Sequence, residues 1–153
     1  MRVGERRALT PGEILIARSL FGDDLDADRL RLFQAPRLGF GAMVPLGRTI
    51  VFSHWRAARD FAWAGVEAQG WLAHELTHCW QAARGRVLAY AKLSALGARA
   101  YDWTPGRRFG AYNIEQQAEI VRYLYLAREK APVRGGPSLE LLEALWGERD
   151  QGR

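Results

Sequence analysis

Two of the three histidines in this 153-residue chain stand four residues apart, in Leu72-Ala73-His74-Glu75-Leu76-Thr77-His78-Cys79-Trp80-Gln81. The surrounding pattern reads as a helix from about Val66 through Ala83, and Gly85 supplies the break. Four residues is just over one helical turn, so His74 and His78 share a face, while Glu75 is turned about 100° away from His74. From that face two imidazoles can reach one tetrahedral zinc ion at roughly 2.1 Å. Glu75 then stands beside the metal, where it can take a proton from the activated water. With 3 His and 10 Glu in the chain, composition predicts about 0.004 chance occurrences of this pattern. Two histidines merely satisfied by core hydrogen bonds are therefore the weaker account.

The rest of the composition narrows the setting. Hydrophobic residues make up 48% and charged residues 25%, an ordinary globular balance, and the length suits a single domain over 1–153. Cys79 is the only cysteine, so no intramolecular disulfide framework exists. The apolar runs are far shorter than the ~18–20 residues of a membrane span. Met1 to Thr10 is basic but leads into Pro11-Gly12-Glu13 rather than an apolar signal core, and the expectation is a cytoplasmic protein. Net charge is +5, carried by scattered arginines such as Arg6-Arg7 and Arg107-Arg108. They form no run and have no interleaved aromatics, which argues against nucleic-acid binding.

Thr10-Pro11-Gly12-Glu13 has the form of a helix start with a capping box, and Gly22 is its stop. Asp23, Asp24, Asp26 and Asp28 lack the glycine and closing glutamate of a calcium loop and read as turn and cap residues. Arg29 to Phe33 alternates like a half-buried strand, Gln34 to Gly47 reads as loop or short hairpin segments, and Thr49-Ile50-Val51-Phe52 is a second strand. A short helix is expected over Arg56 to Ala64, another over Val87 to Ala98, and a loop over Tyr101 to Gly110. A long helix over Tyr112 to Glu129 buries Ile114, Ala118, Val121, Leu124 and Tyr125, and Ser138 caps a last helix, Leu139 to Trp146. Strands early and helices later indicate an α+β fold: short antiparallel strands, then the helix of the site, then a second long helix.

A catalytic zinc site takes three protein ligands and leaves one position open. Asn113-Ile114-Glu115-Gln116-Gln117-Ala118-Glu119 offers two carboxylates one turn apart, spaced so that one binds metal while the other orients a liganding imidazole. His54, upstream, is the alternative third ligand. Cys79 follows His78 directly, but its position around the helix points it toward the core as a small hydrophobe.

A helical H-E-x-x-H followed by a second helix carrying E-x-x-x-(D/E) resembles the gluzincin class of zinc peptidases. More closely, the chain resembles the metallopeptidase-type extracellular contractile injection system core domain, particularly small "Vgr-related" bacterial proteins. That resemblance is carried by Phe21-Gly22-Asp23-Asp24-Leu25-Asp26, Arg29-Leu30-Arg31-Leu32, Thr49-Ile50-Val51-Phe52, the segment from Leu72 to His78 with Trp80-Gln81, and Ile114 to Glu119. Together these span about residues 10–128. Cys79 stands where the family more often has an aliphatic residue, and Glu119 where aspartate is common. The resemblance implies a minimal zincin-like fold, with His74, His78 and Glu115 on zinc and Glu119 behind one imidazole. It also implies an edge strand over Thr49 to Ser53 that accepts an extended substrate.

The function expected on these grounds is peptide-bond hydrolysis by a zinc-activated water with Glu75 as general base, on a peptide or protein substrate. Tyr112 is named as catalytic donor to the developing oxyanion, with Tyr101 and His54 as the other candidates. The family name points to a Vgr-type spike component as partner and to export through an injection system. The alternative is a non-catalytic zinc module that docks on a secretion-system component. A structural zinc site has no need of Glu75 and fills its fourth position, which favours catalysis.

Overall fold

Helix α1 (Pro11–Phe21) begins as its sequence dictates. Thr10 caps it, Pro11 takes the first position, and both halves of the Thr10–Glu13 capping box form. It ends at Gly22, whose φ of 55° an L side chain rarely tolerates. The computed structural model describes residues 1–36, 42–45, 47–85 and 101–150. Within them lie strands β1 (Arg6–Ala8), β2 (Arg31–Gln34), β3 (Ala42–Met43) and β4 (Thr49–Phe52). Helices α2 (Val66–Ala83), α3 (Ile114–Arg128) and α4 (Leu139–Gly147) follow. The architecture is thus α+β, and no described helix is long and apolar enough to cross a membrane.

The strands form one sheet in the order β1-β2-β4-β3. The expectation of antiparallel strands is corrected here: β1 pairs β2 and β3 pairs β4 antiparallel, but β2 and β4 run parallel, with Leu32 opposite Ile50 and Phe33 opposite Val51. The cause is the excursion between them, which crosses to the far side as β3 before the chain returns as β4 in the centre. Strand β4 is consequently an inner strand, with β3 covering Val51 and Phe52 on the side that the zincin pattern implied would be an open edge.

Arg56 to Ala64 forms only one 3-10 turn, Phe61–Trp63, because Asp60 caps there and accepts from the Ala62 N–H at 2.9 Å. The loop expected over Tyr101 to Gly110 ends at Arg108, where a 3-10 turn, Phe109–Ala111, begins, and the long helix starts at Ile114 rather than Tyr112 because Asn113 and Gln116 make a capping box. The helix expected over Val87 to Ala98 lies outside the described residues.

Helix α2 lies between two environments. One side packs into aromatic core: Trp80 stacks within 6.3 Å of Phe21, Phe109 and Trp146, and Cys79 is buried beside it. The other side lies against α3. Gly70 permits that approach, since a Cβ there would meet Leu126 Cδ2 at 3.0 Å. Side chains from the two helices are thereby brought into direct contact.

Candidate metal centre

His74 and His78 on α2 meet Glu115 from the first turn of α3, and all three side chains are buried. Glu115 Oε2 lies 3.3 Å from His74 Nε2 and 3.2 Å from His78 Nε2. Ligand atoms about 2.0–2.1 Å from a tetrahedral ion are separated by roughly 3.3 Å along each edge, so the spacing of Glu115 Oε2 from each imidazole nitrogen matches such an edge. Among the described residues this is the one group of histidine, cysteine and carboxylate side chains that could hold a metal ion, its ligand atoms all within 4.8 Å of one another.

The outer ring nitrogens explain which way the imidazoles face. His74 Nδ1 lies 2.9 Å from Glu119 Oε1, and His78 Nδ1 lies 2.9 Å from Gln81 Oε1. Both acceptors require Nδ1 to carry hydrogen, which leaves both Nε2 lone pairs directed at Glu115. Three acceptors facing one another repel unless a cation lies among them. Without a metal, a proton serves. Burial opposes charge on His74, but the hydrogen bonds to Glu115 and then Glu119 outweigh it and raise its pKa from 6.5 to about 9. Burial also resists the negative charge of Glu115 and Glu119, yet contact with the imidazoles holds both carboxyls below the usual range.

The supporting residues form a connected network. Glu119 Oε2 accepts from Arg122 at 3.2 Å, and Arg122 also reaches Glu67 at 3.0 Å. Gln81 donates to the Ile114 carbonyl and to Gln117 Oε1, both at 3.0 Å. Gln117 in turn donates to the carbonyls of Phe109 and Tyr112 at 3.2 and 3.0 Å. The orientation of His78 is therefore fixed by the start of α3, the element that supplies Glu115. Sequence reasoning gave Gln81, Gln117 and Arg122 no role. Gln81, three residues after His78 on the same helix face, carried the one signal that could have found it.

Glu75 is buried, and its Oε2 has no hydrogen-bond partner among the described residues. An orphaned buried carboxylate oxygen costs free energy, and its position beside the cluster marks it as an acceptor awaiting a donor. Of the proposed donors, Tyr112 is buried and its hydroxyl donates to the Thr104 carbonyl at 2.7 Å. Tyr101 is half exposed, its ring 6.0 Å from that of His74. Partial burial, then the charges of Glu115, Glu75 and Glu119, push its phenol pKa up. His54 is exposed, stacks edge-on against Trp55 and is not in the cluster. Cys79 sits in the core, where burial raises its thiol pKa far above normal.

The chain is 35% identical over 135 residues to the type VI secretion system spike protein VgrG2b of Pseudomonas aeruginosa, which covers 81% of this chain and 13% of that protein. Among solved structures, the effector domain of Pseudomonas aeruginosa VgrG2b matches with a TM-score of 0.71 at 28% identity, over 93% of this chain and 82% of that one. The chain is homologous to the VgrG2b effector domain. No protein-family model matches it. The homology links the chain to type VI secretion spike and effector proteins, in line with the Vgr-related association its motifs implied. It spans 13% of the length of the curated spike protein.

Proposed function

We propose that this domain is a zinc-dependent metallopeptidase on a minimal, gluzincin-like zincin scaffold, acting in type VI secretion. The observation that carries the reading is the convergence of His74 and His78 on Glu115 Oε2, at the edge lengths of a tetrahedral zinc site, beside the unpartnered Oε2 of Glu75. The donor set fits zinc, two imidazole nitrogens and one carboxylate with a position left over. When bound, zinc supplies a Lewis acid for the scissile carbonyl and lowers the pKa of water to about 7.

The protein's own residues do the remainder. Glu75 receives the proton of the attacking water at Oε2 and passes it to the leaving amine. Glu119 and Gln81 keep both imidazoles in the tautomer that presents Nε2. Tyr101, protonated at neutral pH, is the better placed hydroxyl to donate toward the developing oxyanion, because the Tyr112 hydroxyl is committed to Thr104. The substrate is a peptide or protein, and the carrier for export is a Vgr-type spike.

The test is cleavage of a mixed quenched-fluorescence peptide set by zinc-loaded protein. Wild type is expected to cleave. Glu75→Gln is expected to lose at least about 10²-fold in rate while keeping its zinc. A wild type that carries one zinc and cleaves nothing contradicts the proposal and returns the site to a docking module.

A further inference from the structure

One turn before His74 on α2, Trp71 presents its ring 5.6 Å from the His74 ring. Two guanidinium groups lie over that indole, each 4.5 Å from its centre: Arg122 from α3 and Arg56 from the segment after β4. They differ in what else they touch. Arg122 is matched by Glu119 and Glu67. Arg56 is exposed and has no ion pair or side-chain hydrogen bond with any described residue, and only its backbone N–H is engaged, with the Ser53 carbonyl at 3.1 Å.

A guanidinium stacked on an indole keeps its N–H edges free, and its planar fork matches a carboxylate with two parallel hydrogen bonds. Stacking also holds the side chain in place beforehand, so less conformational freedom is lost on binding. The matched Arg122 on the same ring leaves Arg56 as the cation whose charge is not balanced. Its distance from the His74 ring is at most about 10 Å, the two steps being 4.5 and 5.6 Å. An extended peptide advances about 3.3–3.6 Å per residue, so a carboxylate held there lies within about three residues of a bond at the metal centre.

We propose that Arg56, held on Trp71, is a carboxylate-binding subsite that selects peptides with an acidic group within about three residues of the scissile bond. The inference rests on the peptidase reading above. The carboxylate can be an Asp or Glu side chain or a free C-terminus.

Two arms test it. In the first, zinc-loaded wild type, Arg56→Ala, Arg56→Lys and Arg56→Glu are given peptides with Glu, Gln or Lys at those positions, with free or amidated C-termini. Wild type is expected to favour Glu over Gln by about tenfold in kcat/KM. Arg56→Ala erases the preference without slowing the Gln peptide more than about twofold, Arg56→Lys restores part of it, and Arg56→Glu turns it toward Lys. If preference follows the free terminus instead of the side chain, the C-terminal carboxylate is the ligand. In the second arm, the same peptides are titrated against Glu75→Gln protein by calorimetry. Equal handling of Glu and Gln peptides, with free and amidated forms also alike, overturns the subsite. If nothing is cleaved but Glu75→Gln binds acidic peptides about tenfold more tightly, and Arg56→Ala on that background abolishes the difference, the subsite stands and only the hydrolysis reading falls.

Discussion

Glu13 and Glu75 are both buried helix carboxylates, 0% and 6% exposed, in opposite surroundings. Glu13 accepts from Arg7 at 2.6 and 2.7 Å and from the backbone N–H groups of Thr10 and Phe61 at 2.8 and 2.9 Å. It thereby joins β1, α1 and the turn before α2. Glu75 has an oxygen with no hydrogen-bond partner among the described residues. A carboxylate that holds a fold together has its lone pairs used, whereas one poised for chemistry keeps one free.

That contrast breaks most readily at Glu13. Glu13→Ala leaves the Arg7 charge and two backbone donors unmatched in a nearly closed site, and should destabilise the domain by about 3–5 kcal/mol in urea unfolding. A loss under about 1 kcal/mol would show that Glu13 is not the structural member of the pair. Next in size is Glu119→Ala, which frees His74 to turn and unbalances Arg122. Metal affinity measured by chelator competition should fall about 10–100-fold with the fold retained.

The pH dependence sharpens the comparison. The His74 pKa is raised in the folded, metal-free protein from 6.5 to about 9. The stability this contributes is therefore present below 6.5 and fades as pH rises through about 9. Metal competes with the same proton, so its affinity moves the other way, rising by up to about tenfold per pH unit between 7 and 9. Affinity independent of pH over that interval would contradict the arrangement of acceptors around Glu115. The smallest expected effect on stability is that of Glu75→Gln, within about 1 kcal/mol of wild type by the same urea measurement, since no protein partner is lost at the orphaned Oε2.

Much of this site was legible because helical spacing is rigid. His74 and His78 had to share a face, and the i, i+4 spacing of Glu115 and Glu119 put both carboxylates within reach of the imidazoles. The Thr10 capping box and the Gly22 stop were legible for the same local reasons. What local patterns do not encode is pairing at a distance. The parallel β2–β4 ladder depends on where an excursion of the chain returns, and β4 became an inner strand for that reason. Gln81 reads as an ordinary helix residue until α3 presents Gln117 and the Ile114 carbonyl to it. Tyr112, two residues before α3 in sequence, gave no sign that Thr104 would take its hydroxyl.

The central claim is that His74, His78 and Glu115 form one metal site, and it is tested most directly by metal content. Untagged wild type and Glu115→Ala would be desalted without chelator and measured by plasma mass spectrometry. The account predicts close to one zinc per chain in wild type and a greatly reduced content in Glu115→Ala. Wild type without zinc even after zinc is added back, or Glu115→Ala retaining a full equivalent, would contradict it.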